Sequence, residues 1–171
     1  MVGVAAFLHD LHRIMQKQHG VTIHPKESLP LVRELLEEFS LNEHQLDEIC
    51  YCIEHHENYN WNGNNVDNIN ALIVQDADNL DMIGAIGIGR TFTYGGANGM
   101  PMYDPKVPIN SNNDYTEFIG NDPSTIHHFY HKLFKLKDNM NTKVAKDLAQ
   151  SRSDFLEAFV EEFLDEWNGI K

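Results

Sequence analysis

Cysteine is nearly absent: Cys50 and Cys52 are the only two in 171 residues, and a lone C-x-C inside a helical pattern makes neither a disulfide framework nor a zinc pair. That usage fits a reducing cytosol and predicts a cytoplasmic protein. Basic residues are also scarce. Thirteen Lys and Arg stand against 26 Asp and Glu, a formal charge of −13, which argues against a nucleic-acid polymer or an anionic membrane surface as partner. An anionic substrate would need a local cation. No stretch approaches the ~20 apolar residues of a membrane span, and "MVGVAAFLHD" lacks the charged start and cleavage region of a signal peptide.

What the sequence does hold is helical periodicity. Its length suits one domain, residues 1–171. Apolar residues at three- and four-residue steps predict helices over 2–18, 28–39 (with Ser28 as cap and an early Pro), 41–57, about 66–94 (ended by Gly95–Gly96), 123–138 and 141–167. Residues 95–123 hold Gly, Pro and Asn without period and read as a long loop, a candidate lid whose Met100, Met102 and Tyr103 could close over an apolar group. The fold class predicted is all-α, a single helical bundle.

The chemistry lies where ionisable groups fall on apolar stripes. Asp76 is three or four residues from Leu72, Ile73 and Leu80, and His9 has Ala5 and Ala6 at the same steps. A buried carboxylate without a partner costs several kcal/mol, so such groups are paired, hydrogen-bonded or metal-bound. For His9 alone, a hydrogen-bonded core histidine is the blander alternative. Two carboxylates and an imidazole form a mixed N/O set suited to Mn²⁺, Fe²⁺ or Mg²⁺. The glycines of "GAIGIG" follow no strand and lack the P-loop Lys, so close helix packing explains them better than a phosphate cradle.

"AAFLHDLH", then "IVQDADNLDMIGAIGIGRTFTYGG", then "IHHFYHKLFKLKDNM" and "AQSRSDFLEAFVEEF" together resemble the HD-domain metal-dependent phosphohydrolases, in the branch of YedJ-like and YpgQ-like proteins. The resemblance implies that His9 and Asp10 are the His-Asp pair and Asp76 the distal ligand of one divalent metal, with Mn, Fe, Mg and Ni as candidates. It also implies a first His ligand on an earlier helix, which this sequence does not hold. The helix beginning uncapped at Val2 predicts that the sequence starts inside the domain. His55 and His56, with His24, are similar to the extended pattern of dinuclear HD proteins such as the HD-GYP phosphodiesterases. This implies second-metal or site-lining roles, though the Gly-Tyr-Pro continuation is missing. Arg90, Lys132 and Arg152 are the candidate cations for a substrate phosphate, and Asp81 the candidate general base.

The expected activity is hydrolysis of a phosphate ester or anhydride, with a nucleotide or nucleoside triphosphate as the implied substrate and a second copy of the chain as a candidate partner. Two other readings stay open: a regulatory protein that binds metal or nucleotide without turnover, and a helical interaction domain without metal.

Overall fold

The computed structural model describes residues 1–57, 66–109 and 122–170. Among them the regular structure is helical throughout, as the periodicity predicts: α1 (Val2–Leu8), α2 (Leu11–His19), a 3-10 turn (Pro25–Ser28), α3 (Leu29–Leu36), α4 (Glu43–His55), α5 (Ile69–Asp81), α6 (Gly84–Ala97), α7 (Thr125–His131), a second 3-10 segment (Leu133–Asn139) and α8 (Lys143–Trp167). No helix among the described residues is long and apolar enough to cross a membrane. The chain forms two compact units, Met1–Asp78 and Asn79–Lys171.

In the first unit α1 and α3 pack on α4. Ala5, Val32, Leu36, Ile49, Cys50, Cys52, Ile53, Ala71 and Val74 form the core. At roughly 25 cal/mol per Å² of apolar surface, burial of these side chains is the main favourable term. Helix α4 starts at a capping box. Asn42 Oδ1 accepts from Gln45 N at 3.0 Å and Gln45 Oε1 from Asn42 N at 3.0 Å, satisfying two otherwise orphaned donors. Ser28 does not cap α3 as expected, because its hydroxyl donates to the Pro25 carbonyl at 2.7 Å. The two cysteine thiols are buried, and burial pushes Cys52 up to about 11, so they serve as packing groups.

Three of the expected helices are broken. The run 2–18 divides at His9–Asp10, where Asp10 adopts φ −93°, ψ 15° and begins α2. The run 66–94 divides between Asp81 and Gly84. Ile83 is extended (φ −121°, ψ 165°) and Gly84 takes φ +77°, a left-handed conformation that glycine adopts at no steric cost. The helix then continues past Gly95–Gly96 to Ala97, so the irregular segment begins later than expected. Gly95 does not stop the helix but lets it approach α7, since a Cβ there would lie 2.4 Å from Thr125 Oγ1. Finally, 123–138 divides at Lys132 (φ −128°, ψ −58°) into α7 and a 3-10 segment.

In the second unit, Phe92 of α6 meets Phe129 of α7 and Phe159 and Phe163 of α8 at ring separations of 6.1, 5.8 and 5.9 Å. Helix α8 is capped by Thr142, whose hydroxyl accepts from Ala145 N at 3.2 Å. The candidate lid is only partly in view, residues 110–121 lying outside the described residues. Its earlier part is pinned to α7 through Thr125 N to Pro101 O and Ile126 N to Met102 O, both 2.9 Å. Tyr103 stacks on His127 and meets the edge of Trp167. Asp122 holds α7 from its N-terminal side, each carboxylate oxygen accepting at 2.7 Å, one from His128 Nδ1 and one from His131 Nδ1. Burial pushes the Asp122 carboxyl up, but the two imidazole donors outweigh it and hold it below the usual carboxylate range.

Two predictions follow from this packing. A Cβ on Gly87 would lie 2.3 Å from the Met82 carbonyl oxygen, whereas on Gly89 it would meet nothing within 4 Å. Gly87→Ala is therefore expected to destabilise the protein by about 1–3 kcal/mol in denaturant unfolding. Gly89→Ala, in the same helix, should stabilise it by roughly 0.5–1 kcal/mol. For Asp122, a carboxyl lowered in the folded state contributes stability above its unfolded pKa of about 3.9, and that stability is lost as pH falls through the folded value. Thermal unfolding should thus show Asp122→Asn less stable than the parent at pH 6, with the gap closing below about pH 4. A gap constant across that range would contradict the assignment.

Candidate metal centre

The first unit gathers its ionisable groups where α1 gives way to α2 and where α4 ends. A continuous helix would turn consecutive side chains about 100° apart. The break at His9–Asp10 removes that constraint. Asp10 stands at the N-cap of α2 yet makes no side-chain cap bond, forgoing an interaction typically worth about 1 kcal/mol. Its carboxylate is turned instead between imidazoles, with Oδ2 lying 3.6 Å from His9 Nε2 and Oδ1 lying 3.9 Å from His56 Nε2.

Each imidazole is oriented through its other nitrogen. His9 Nδ1 donates to Ala6 O at 2.8 Å, His12 Nδ1 to His9 O at 3.2 Å and His56 Nδ1 to Ile53 O at 2.7 Å. A carbonyl only accepts, so Nδ1 carries the proton, which on His12 and His56 leaves Nε2 with its lone pair, the arrangement seen in metal-binding histidines. His12 and His56 are buried, and among the described residues their Nε2 atoms have no hydrogen-bond partner. Burial, the main cause, pushes the His12 imidazole down; the Glu57 charge opposes it, and Arg13 and His56 reinforce it. His9 goes the other way. Asp78, whose carboxylate faces Nε2 at 3.7 Å, pushes it up to about 9 against burial, with the Ala6 carbonyl and the Asp10 charge adding to the effect.

Asp10, His12, His56 and Glu57 each offer one ligand atom, and all four atoms lie within 4.8 Å of one another. The nearer separations are 3.8 Å (His12 to Glu57), 3.9 Å (His56 to Asp10) and 4.0 Å (His56 to Glu57). Donors about 2.1 Å from a tetrahedral ion are about 3.4 Å apart, so the three nearer pairs stand about half an ångström from that spacing. Two unsatisfied buried lone pairs facing two carboxylates fit a divalent ion. Arg13, half-exposed, pairs with Glu57 and lies 3.8 Å from Asp10 Oδ1, placing a cation at the rim.

Of the residues singled out in the sequence, the structure brings together His9, Asp10 and His56. Asp76 is buried on α5 and is not one of the four clustered donors. His55 stacks on Tyr51 at 4.1 Å, with its Nδ1 donating to Tyr51 O and its own carbonyl accepting from Gln75. His24 is exposed at the start of the first 3-10 turn. The other candidates belong to the second unit. Asp81 and Arg90, both exposed, form an ion pair with each other. The Arg152 guanidinium donates to the Leu80 carbonyl, and its aliphatic stem covers Gly84. Lys132 is the half-buried residue between α7 and the second 3-10 segment. Sequence reasoning missed His12, Glu57 and Arg13. The signal available was an imidazole three residues after His9 and a carboxylate directly after His56.

Comparison with known proteins gives this geometry its setting. The HD-domain family model matches residues 2–83. A crystal structure of an HD-superfamily hydrolase from Bacillus thuringiensis is similar over 98% of this chain and 73% of its own, with 36% identity and a TM-score of 0.69. The uncharacterized protein YpgQ of Bacillus subtilis (strain 168) is 40% identical over 102 residues, which span 60% of this chain and 42% of that protein. The crystal structure of B. subtilis YpgQ in complex with ADP matches 99% of this chain and 89% of its own at 26% identity, with a TM-score of 0.58. His9 and Asp10 fall within the matched family region, and the chain belongs to the HD-domain superfamily, whose structurally similar members include an HD-superfamily hydrolase.

Proposed function

We propose that this protein is a divalent-metal-dependent phosphohydrolase acting on a phosphate ester or anhydride, with a nucleotide as the substrate class. The observation that carries the reading is the orientation of Asp10. At a helix start where an Asp would ordinarily cap, its two oxygens face His9 and His56 instead. The family pattern adds Asp76, a buried carboxylate, as the distal ligand beside His9 and Asp10. Similarity to an HD-superfamily hydrolase supports the reaction class, and the ADP complex of B. subtilis YpgQ supports a nucleotide ligand.

A divalent ion held at this centre would supply charge neutralisation for a phosphoryl oxygen and a water acidified toward neutral pH. The rest falls to side chains. Asp78 and the Ala6 carbonyl orient His9 through its two ring nitrogens. Arg13 presents a planar guanidinium that can exchange its carboxylate partners Glu57 and Asp10 for two phosphate oxygens, a bidentate contact that lysine cannot reproduce. Because Arg13 is paired in the absence of substrate, the two carboxylates are not left as an uncompensated charge.

Purified protein incubated with Mn²⁺ and a panel of nucleoside mono-, di- and triphosphates is expected to release phosphate or pyrophosphate, and Asp10→Asn is expected to abolish that release with helicity unchanged. Turnover of none of the panel, or full activity in Asp10→Asn, would refute the reading. Arg13→Ala is expected to raise KM by about 10- to 100-fold, the loss of a charge-assisted bidentate contact. Arg13→Lys should recover only part of that loss, and an unchanged KM in both variants would remove Arg13 from substrate binding.

A further inference from the structure

We propose that Asp10, His12, His56 and Glu57 together hold a borderline first-row transition ion of the zinc and cobalt class, with His12 and Glu57 as ligands beside the Asp10 of the His-Asp pair. Neither residue belongs to the His-Asp pair. The inference stands on the geometry of the four side chains and does not require the chain to hydrolyse anything.

Three features distinguish this cluster from an ordinary acidic patch. Its two imidazoles are almost fully enclosed, with side-chain exposures of 0% for His12 and 1% for His56, while the carboxylates of Asp10 and Glu57 remain 53% and 30% exposed. The site therefore has a dry nitrogen floor and an open oxygen rim, which gives an ion a route in. Next, both Nε2 atoms lack a hydrogen-bond partner among the described residues, although protein interiors ordinarily satisfy such groups. Their Nδ1 protons are committed to the His9 and Ile53 carbonyls, so the rings cannot escape by changing tautomer. Last, the nearer donor separations of 3.8, 3.9 and 4.0 Å are too long for hydrogen bonds and about half an ångström beyond the spacing of groups that share one cation.

Donor chemistry sets the ion class. Two imidazole nitrogens and two carboxylate oxygens are one donor set short of what Ca²⁺ requires, since Ca²⁺ takes six to eight oxygens, and Mg²⁺ likewise prefers oxygen and retained water. Imidazole suits Zn²⁺, Co²⁺, Ni²⁺ and Fe²⁺. The two carboxylates match the dipositive charge, and Arg13 can swing from Glu57 into solvent when the ion enters.

The full chain, stripped of metal, is titrated with Co²⁺ alone and followed by visible absorption and by calorimetry. One set of variants removes donors of this site (His12→Gln and Glu57→Gln); His9→Asn removes the imidazole of the His-Asp pair. The proposal expects Co²⁺ bound with visible d–d bands and an affinity lowered at least about tenfold in His12→Gln and in Glu57→Gln. Excess Mg²⁺ should leave the bands in place. His12 is fully buried, so if His12→Gln fails to fold, Glu57→Gln on the half-exposed rim decides the matter alone. Absence of Co²⁺ uptake by the parent overturns the proposal, as does unchanged affinity in Glu57→Gln, displacement of Co²⁺ by equimolar Mg²⁺, or loss of binding in His9→Asn with Glu57→Gln unaffected. Each of these results is independent of phosphate release.

Discussion

The first unit depends on a single electrostatic constraint: the imidazole lone pairs of His12 and His56 are held in a dry interior with their Nδ1 protons already committed. Once His9, His12 and His56 each donate through Nδ1 to the carbonyl three residues earlier, ring orientation is fixed, and Nε2 has to face whatever lies inward. What lies inward is carboxylate. Asp10, Glu57 and Asp78 surround the three rings at separations of 3.6 to 4.0 Å. A protein that needed these groups only for packing would do better with apolar isosteres, because unpaired buried polar atoms subtract from a total stability of only 5–15 kcal/mol.

The burial of His9 and Asp76 was legible in the sequence because the penalty for burying such groups is large and their position on apolar stripes is plain. His9 and Asp76 fall where aliphatic residues would be expected, and both are buried or half-buried in the structure. His12 was illegible for a definite geometric reason. In one continuous helix over 2–18, Asp10 and His12 would be separated by about 200° and could not share a ligand sphere. The break at Asp10 removes that separation, and nothing in the hydrophobic period announces the break. Glu57 was hidden in a similar way, since it follows the end of α4, where periodicity stops informing.

Glycine shows the same limit from the other side. The pair Gly95–Gly96 carries the sequence signature of a helix end, and yet α6 runs through it, the freedom being used for close approach to Thr125. The actual interruption sits at Gly84, with φ +77°, inside a stretch whose apolar period is unbroken. Fold class survives such errors because it rests on the summed period of many residues; element boundaries turn on one residue's backbone torsion, which tertiary packing decides. The cations Arg90 and Arg152 illustrate this for function. Charge type alone nominated them, whereas their contacts are local, Arg90 with Asp81 and Arg152 with the Leu80 carbonyl.

The second unit provides an internal control on the central argument. There, too, a carboxylate stands among imidazoles, but Asp122 accepts from His128 Nδ1 and His131 Nδ1 at 2.7 Å, a distance at which the proton is shared and the charge satisfied. Asp122 binds the proton less readily for it, and α7 is held at its N-terminal side. In the first unit the same two residue types stand about 1 Å farther apart, with the proton spent elsewhere. The shorter arrangement is a finished structural clamp. The longer one has its donors aligned, its acceptors facing and a gap between them, which is the condition under which a cation lowers the free energy of both.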